Sequence, residues 1–565
     1  MTPGDLWAPA AGAVELEDAG TLVPLERGQR GWWRGPLPRG DYRYRLDGTP
    51  LPDPRSPWQP LGVHGPSRPL DTEPFPWTDG GWTAPALGDC AIYELHIGTF
   101  SEEGTFDGAI AHLDDLVELG VQAVEVMPVA EFAGDRGWGY DGVDLYAPHH
   151  AYGGPAGLMR LVDACHRRGL AAILDVVYNH LGPEGNYLGR FGSYFTDSYP
   201  SPWGQAVNLD GPDSQPVRDY LIENAIRWLR DYHLDGLRLD AVHALYDHSA
   251  VHLLEEMAER VGREVGPDRW LIAESDLNDP RLATPVAIGG YGLTAHWEDD
   301  FHHAVHALLT GERDGYYEDF GSVEQLARAL RRAYVYEGDY SRHRRRRHGR
   351  PHLLEGEQLV VCVQNHDQVG NRARGDRLCH LVSPGRARIA AALLLLSPFV
   401  PLLFMGEEWA ASSPFPFFSS HTDPGIAGAT TRGRIQEFTA FGWRPEDVLD
   451  PQSPATFEAA RLRWSERAGE EHLEMLAWYR ALLGLRRRHP TLRAGRLDEV
   501  GVEHGEDWLV LCRGGFALGC NWAADARSLP VRGEVVAASD PACRLAGDGL
   551  LLPGETAAVL RIDGP

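Results

Sequence analysis

Between residues 91 and 405 the chain alternates short apolar runs with stretches of helical periodicity, and no other feature restricts the fold as much. The runs are 91–97, 121–129, 170–177, 236–242, 270–274, 293–297, 359–363 and 400–405. Amphipathic patterns at 107–119, 155–168, 213–232, 249–265, 323–332 and 384–396 lie between them. Repeated strand–helix units predict a parallel sheet. Eight strands predict a closed (β/α)8 barrel, in which chemistry collects at the C-terminal strand ends.

Three of these runs finish on an acid. The stretch from Gly236 to His243 reads Gly-Leu-Arg-Leu-Asp-Ala-Val-His. Arg238 and Asp240 are two residues apart and point to one side of a strand. An isolated Arg-x-Asp reads as a structural ion pair. Here Trp270-Leu-Ile-Ala-Glu274 and the run from Leu359 to Asp367 also close on carboxylates, which predicts one acidic cluster at one end of one sheet.

The flanks differ from the centre. Residues 1–88 are rich in Pro, Gly and Trp, with short alternating runs between turn signals, and predict an N-terminal β-sandwich resembling a carbohydrate-binding module. Trp32, Trp33, Trp58, Trp77 and Trp82 are either a sugar-stacking surface or packing. Residues 89–489 are assigned to the barrel, with helix 470–488 closing it. Residues 179–213, long and rich in Gly, Pro and aromatics, read as an excursion after the third strand. Residues 490–565 return to short strands and predict a C-terminal antiparallel β domain whose role is stability.

Composition excludes several chemistries. The chain has 53 basic and 81 acidic residues, a net charge of −28, which disfavours nucleic acid and anionic membranes as partners. It contains no lysine, so a phosphate-loop lysine, a Schiff base and a Ser-Lys dyad are ruled out. Seven scattered cysteines without a C-x-x-C fit a reduced, cytoplasmic protein. The N-terminus shows no basic region followed by an apolar core, so no leader is expected. The apolar stretch 389–405 is broken by Ser397, Pro398 and Pro401 and reads as helix then buried strand. The run Arg342–Arg350 reads as a solvated loop paired with Glu337 and Asp339.

Two carboxyls on adjacent strands can cleave a glycosidic bond. Asp240, held ionised by Arg238, is expected as nucleophile. Glu274 follows Leu-Ile-Ala, a drier setting that suits a general acid/base. Asp367 is expected to hydrogen-bond sugar hydroxyls. His180 and His366 also end strands and are read as neutral imidazoles donating to sugar, with a metal as the alternative. No H-E-x-x-H spacing supports that alternative, so no metal or other cofactor is expected. Tyr140 offers a ring to the sugar or to the core, and His243 closes the Arg238–Asp240 motif at the substrate side.

These residues carry a resemblance. Asp175–His180, Gly236–His243, Ala273–Ser275 and Gln364–Asp367 resemble, in order, the four signature regions of the alpha-amylase family (glycoside hydrolase family 13). The resemblance implies a retaining mechanism with Asp240, Glu274 and Asp367 as the catalytic triad. Asn179 matches a position that binds calcium in many amylases. Within the family, Glu274–Arg281, His296–His303, Gln364–Arg372, Tyr194–Asp197 running on to Trp203, and Asn208–Asp213 resemble the malto-oligosyltrehalose trehalohydrolases. That implies hydrolysis of the α-1,4 bond joining trehalose to a malto-oligosaccharide, by a monomer or weak homodimer. It also implies a plus-side pocket among Trp297, Asp300, His302, Gln368, Asn371 and the loop 415–423. Branching enzymes share the domain plan and are the rival reading. A non-catalytic glucan-binding scaffold, which need not keep all three acids, is the remote one.

Overall fold

The computed structural model describes residues 4–70, 74–440, 443–547 and 549–562. All eight apolar runs form strands: β1 (Ile92–Leu95), β2 (Ala123–Val126), β3 (Ala171–Val176), β4 (Gly236–Leu239), β5 (Trp270–Ala273), β6 (Ala295–Trp297), β7 (Leu359–Cys362) and β8 (Val400–Phe404). They close into one barrel in chain order, every neighbouring pair parallel. Every strand residue is buried, as expected for a sheet covered on both faces. The inner face is charged. Register sets Glu94 on β1 beside Glu125 on β2, and Asp175 on β3 beside Arg238 on β4.

Helices cover the barrel at Gly154–Arg167, Ser214–Asp231, Leu253–Glu264, Val323–Arg332 and Pro384–Leu395, near the expected positions. Capping sets their starts: Ser322 and Gln325 form a capping box, and Ser383 caps the helix opened by Pro384. The pattern 107–119 is two helices, Phe106–Ile110 and Leu113–Leu119, broken where His112 stacks on Trp464 at 3.7 Å. Among the longer helices of the described residues, Asp299–Thr310 and Pro424–Ala440 escaped the periodicity reading. The first buries His302, His303 and His306, which read as polar in sequence.

The N-terminal strands form a three-stranded and a four-stranded antiparallel sheet, and the C-terminal strands a five-stranded and a three-stranded one. Arg486 of helix Glu470–Arg488 and Arg513 of the C-terminal strand Trp508–Arg513 donate to the carbonyls of Leu395, Leu396 and Ser397 and satisfy the C-terminal end of helix Pro384–Leu395. Of the N-terminal tryptophans, Trp33 is core, Trp77 stacks on His233 at 3.9 Å and Trp82 on His166 at 4.8 Å, so these serve packing. The arginine run is a β-hairpin rather than a loop, Glu337–Ser341 against Arg346–Gly349. Glu337 pairs with Arg328 and Arg332, and Asp339 with Arg328, while Arg344 of the run reaches Asp276. The excursion carries a second hairpin, Phe195–Ser201 with Gly204–Val207. Among the described residues no helix is long and apolar enough to cross a membrane.

Candidate active site

The acids predicted from strand ends meet at the C-terminal mouth. Asp240 follows β4 and its N–H donates to the Val176 carbonyl of β3 at 3.0 Å. Glu274 follows β5 and its N–H donates to the Leu239 carbonyl of β4 at 2.9 Å. Ala241 then takes φ +40°, a conformation rarely adopted by residues with a Cβ. This twist turns its N–H onto Glu274 Oε2 at 2.5 Å.

Arg238 is fully buried beneath both acids. Its Nη1 donates to both Asp175 oxygens at 2.9 Å and to Asp240 Oδ1 at 2.7 Å. Its Nη2 lies 3.9 Å from Glu274 Oε2, and its guanidinium sits 4.4 Å from the centre of the Trp297 ring. The other Asp240 oxygen accepts from Asn179 Nδ2 at 2.8 Å. Burial works against the charge on Asp240, but Arg238, His180 and the Asn179 hydrogen bond outweigh it and hold the carboxyl below its usual range. Glu274 goes the other way. Burial pushes it up to about 8, Arg238 restrains the rise, and the negative charge of Asp240 adds to it.

Asp367 lies in the helical turn His366–Gly370 after β7 with its side chain 43% exposed, open to the mouth. Asn371 Nδ2 donates to it at 3.3 Å. His366 Nδ1 contacts Glu94 Oε1 at 2.5 Å and its Nε2 contacts the Tyr140 hydroxyl at 2.7 Å. The Tyr140 hydroxyl donates in turn to Asp175 Oδ2 at 2.5 Å, and its ring stacks on His366 at 5.1 Å. A continuous polar chain therefore runs from Glu94 through His366, Tyr140, Asp175 and Arg238 to Asp240. Gly139, at φ +101°, makes the turn that presents Tyr140; a Cβ there would collide with the Pro128 carbonyl.

Several sequence expectations need correction. His366 is engaged at both ring nitrogens, Nδ1 by Glu94 and Nε2 by Tyr140. Burial works against its charge, but Asp367 and Glu94 raise its pKa to about 9. His180 has no nitrogen left for sugar, because Nδ1 is engaged by Asn179 Oδ1 at 2.5 Å and Nε2 by the Tyr140 carbonyl at 3.0 Å. Those contacts, with the bonds to Asp240, also occupy the Asn179 amide that was matched to a calcium position. Asp300 is buried, its Oδ2 accepting from Asn278 Nδ2 and the N–H groups of Val335 and Tyr336. His302 is buried between the Val363 carbonyl and the Tyr317 hydroxyl, each at 2.9 Å. Trp297 is buried under Arg238. These three support the wall rather than line it.

Of the remaining candidates, His243, Gln368 and Asn371 are at least partly exposed. His243 is exposed on the turn Val242–Ala244. Gln368 accepts from the Tyr316 hydroxyl at 3.1 Å, and exposed Asn371 from Arg434 at 3.2 Å. In the loop 415–423, Phe415 and Phe418 are core, while His421 lies 3.7 Å from Asp141.

Two residues were missed. Asp299 is pushed up to about 7 by burial and by Asp276, Asp300 and Asp367, and its charge in turn raises Glu274. The signal was Glu298, which caps this helix through the N–H groups of Asp300 and Phe301. A cap at Glu298 makes Asp299 and Asp300 consecutive helical positions, about 100° apart around the axis, so they cannot share a role. The second is Trp203 at the tip of the excursion hairpin, 46% exposed and stacked face to face on His180 at 4.5 Å.

Comparison with known proteins places this geometry. The alpha amylase catalytic domain model matches residues 74–203. The malto-oligosyltrehalose trehalohydrolase of Rhizobium sp. (strain M-11) is 48% identical, over 99% of this chain and 97% of the relative. The chain belongs to the malto-oligosyltrehalose trehalohydrolases. A crystal structure from Salmonella typhimurium superposes with a TM-score of 0.91 at 39% identity, covering 98% of this chain and 97% of its own. The 1,4-alpha-glucan branching enzyme GlgB of Pseudoalteromonas atlantica stands further off, 28% identical over 53% of this chain. The mouth thus joins an acid held below its usual range, an acid pushed above it and an open acid within one hydrogen-bonded frame.

Proposed function

We propose that the chain hydrolyses the α-1,4 bond between trehalose and the malto-oligosaccharide it terminates, by double displacement with retention. The observation that carries this reading is the opposite setting of two joined acids: Asp240 held ionised and Glu274 pushed up to about 8. Asp240 attacks the anomeric carbon while Glu274 protonates the departing glycosidic oxygen, releasing trehalose. Glu274, now ionised, takes a proton from water, which attacks the glycosyl ester and frees Asp240. Asp367 holds ring hydroxyls, and Tyr140 and the exposed Trp203 face offer platforms for sugar rings. The retaining route asks for carboxyl groups about 5–5.5 Å apart.

A branching enzyme would pass the same glycosyl ester to a sugar hydroxyl instead of water. Family membership favours water. We further assign residues 1–88, 89–489 and 490–565 to three domains, with the central one catalytic. We place the protein in the cytoplasm, since its seven cysteines form no disulfide among the described residues, and take it as a monomer or weak homodimer.

The test is a product assay with maltopentaosyl-trehalose and, separately, maltoheptaose. Fast release of free trehalose from the first and slow cleavage of the second support the reading. Equal rates, or α-1,6-branched products, would move the chain to another glucan specificity. No turnover of either would favour a binding scaffold.

A further inference from the structure

We propose that Glu131, His149 and His150 form a binding site for one divalent transition-metal ion, with zinc the best match to their chemistry. The backbone brings them together. Ala130–Glu131 pairs with Asp144–Pro148 in a short hairpin, and the His149 N–H donates to the Val129 carbonyl at 2.7 Å. One ligand atom from each residue lies within 4.8 Å of the others. His149 Nδ1 is 3.3 Å from Glu131 Oε1 and His150 Nδ1 is 2.7 Å from the same oxygen. A tetrahedral zinc with bonds of about 2.0–2.1 Å separates its ligand atoms by about 3.3 Å. The first pair already has that spacing, and the second needs only to open its hydrogen bond.

The independent observation is His149 itself. It is 0% exposed; its Nε2 has no hydrogen-bond partner, and its Nδ1 has only the 3.3 Å ion-pair contact with Glu131 and no aligned hydrogen bond. Buried polar atoms rarely go unpartnered. Its ring is fixed by stacking on Phe132 at 3.8 Å. Across the hairpin from Glu131, buried Asp144 also carries an unpartnered carboxylate oxygen, so the locality has acceptors in excess. Two imidazoles and a carboxylate select zinc-like ions over calcium or magnesium. Entry is open, because His150 lines a cavity of about 570 Å³ shared with His64, Arg136 and His421. The hairpin loop between Glu131 and Asp144 carries Trp138 and Tyr140, so an ion at its base pins the segment that delivers Tyr140 to the acids.

The test uses the full chain, stripped by dialysis against a chelator and titrated with ZnCl2. Bound zinc is read by competition with a chromophoric chelator, and thermal unfolding is followed in parallel. The expected result is one equivalent bound tightly and a rise in Tm with zinc that CaCl2 and MgCl2 do not reproduce. His150→Ala and Glu131→Gln should each weaken that equivalent about 100-fold or more and cancel the Tm rise. His150 is partly exposed, so its variant keeps the test valid if Glu131→Gln fails to fold. No tight equivalent in the wild type, or an equivalent retained by His150→Ala, would overturn the proposal.

Discussion

Glu274 Oε2 accepts the backbone N–H of Ala241, the residue that follows Asp240, at 2.5 Å. A second rung lies beside it, where the Val242 N–H donates to the Glu274 carbonyl at 3.0 Å. One acid is thus fixed to the backbone of the other, and their spacing does not depend on free side-chain rotation. The same arrangement separates their charges. Asp240 has two hydrogen-bonded partners for its negative form, one of them the Arg238 guanidinium, whereas Glu274 has a backbone N–H and a more distant Arg238 against burial and the charge of Asp240.

Asp240→Asn is expected to leave folding intact and to lower kcat on maltopentaosyl-trehalose by about 10⁴-fold or more, as loss of a nucleophile does. Asparagine keeps the size of the side chain. Circular dichroism and single-turnover kinetics check the two halves, and wild-type-like turnover would show that another carboxylate attacks.

The pH profile of kcat/KM is expected to fall on the alkaline side near pH 8, where Glu274 loses its proton. The acid limb should lie below about pH 4, since Asp240 is held under its ordinary value of 3.8. An alkaline limb below pH 6 would contradict the assignment of Glu274 as acid.

Glu274 also links stability to pH. Below its ordinary value of 4.5 the group is protonated in both folded and unfolded chains, and there is no penalty. As pH rises toward about 8 the unfolded chain ionises while the folded chain holds the proton, so the native state loses stability, and the full penalty is reached above that value. Glu274→Gln removes the penalty. It should unfold like the wild type at pH 4 and be more stable at pH 8, by on the order of 1–3 kcal/mol. A Tm difference that does not grow with pH would contradict this.

Trp203→Ala is expected to raise KM for maltopentaosyl-trehalose by roughly 3–10-fold while changing kcat little, because an exposed stacking face contributes binding rather than chemistry. Initial-rate kinetics with substrates of different chain length would check it, and an unchanged KM would remove Trp203 from the substrate path.

The barrel was legible because its strands are short apolar runs, and the site because Asp240, Glu274 and Asp367 follow the ends of three of them, with Arg238 breaking the apolar pattern inside β4. Residues whose roles depend on contacts distant in sequence were not legible. Asp300 reads like its neighbour until the N–H groups of Val335 and Tyr336 are seen to claim it. The setting of His366 depends on Glu94, which contacts its Nδ1 from a strand 272 residues away. Helix Pro424–Ala440 went unseen because its mixed Gly, Thr and Arg composition makes no apolar stripe.

The most direct test is proton NMR of the first products formed from maltopentaosyl-trehalose. Retention through a glycosyl ester on Asp240 predicts free trehalose together with maltopentaose that appears first as the α-anomer and only later mutarotates. Maltopentaose appearing first as the β-anomer would contradict Asp240 as nucleophile, and release of glucose or maltose in place of trehalose would contradict the specificity.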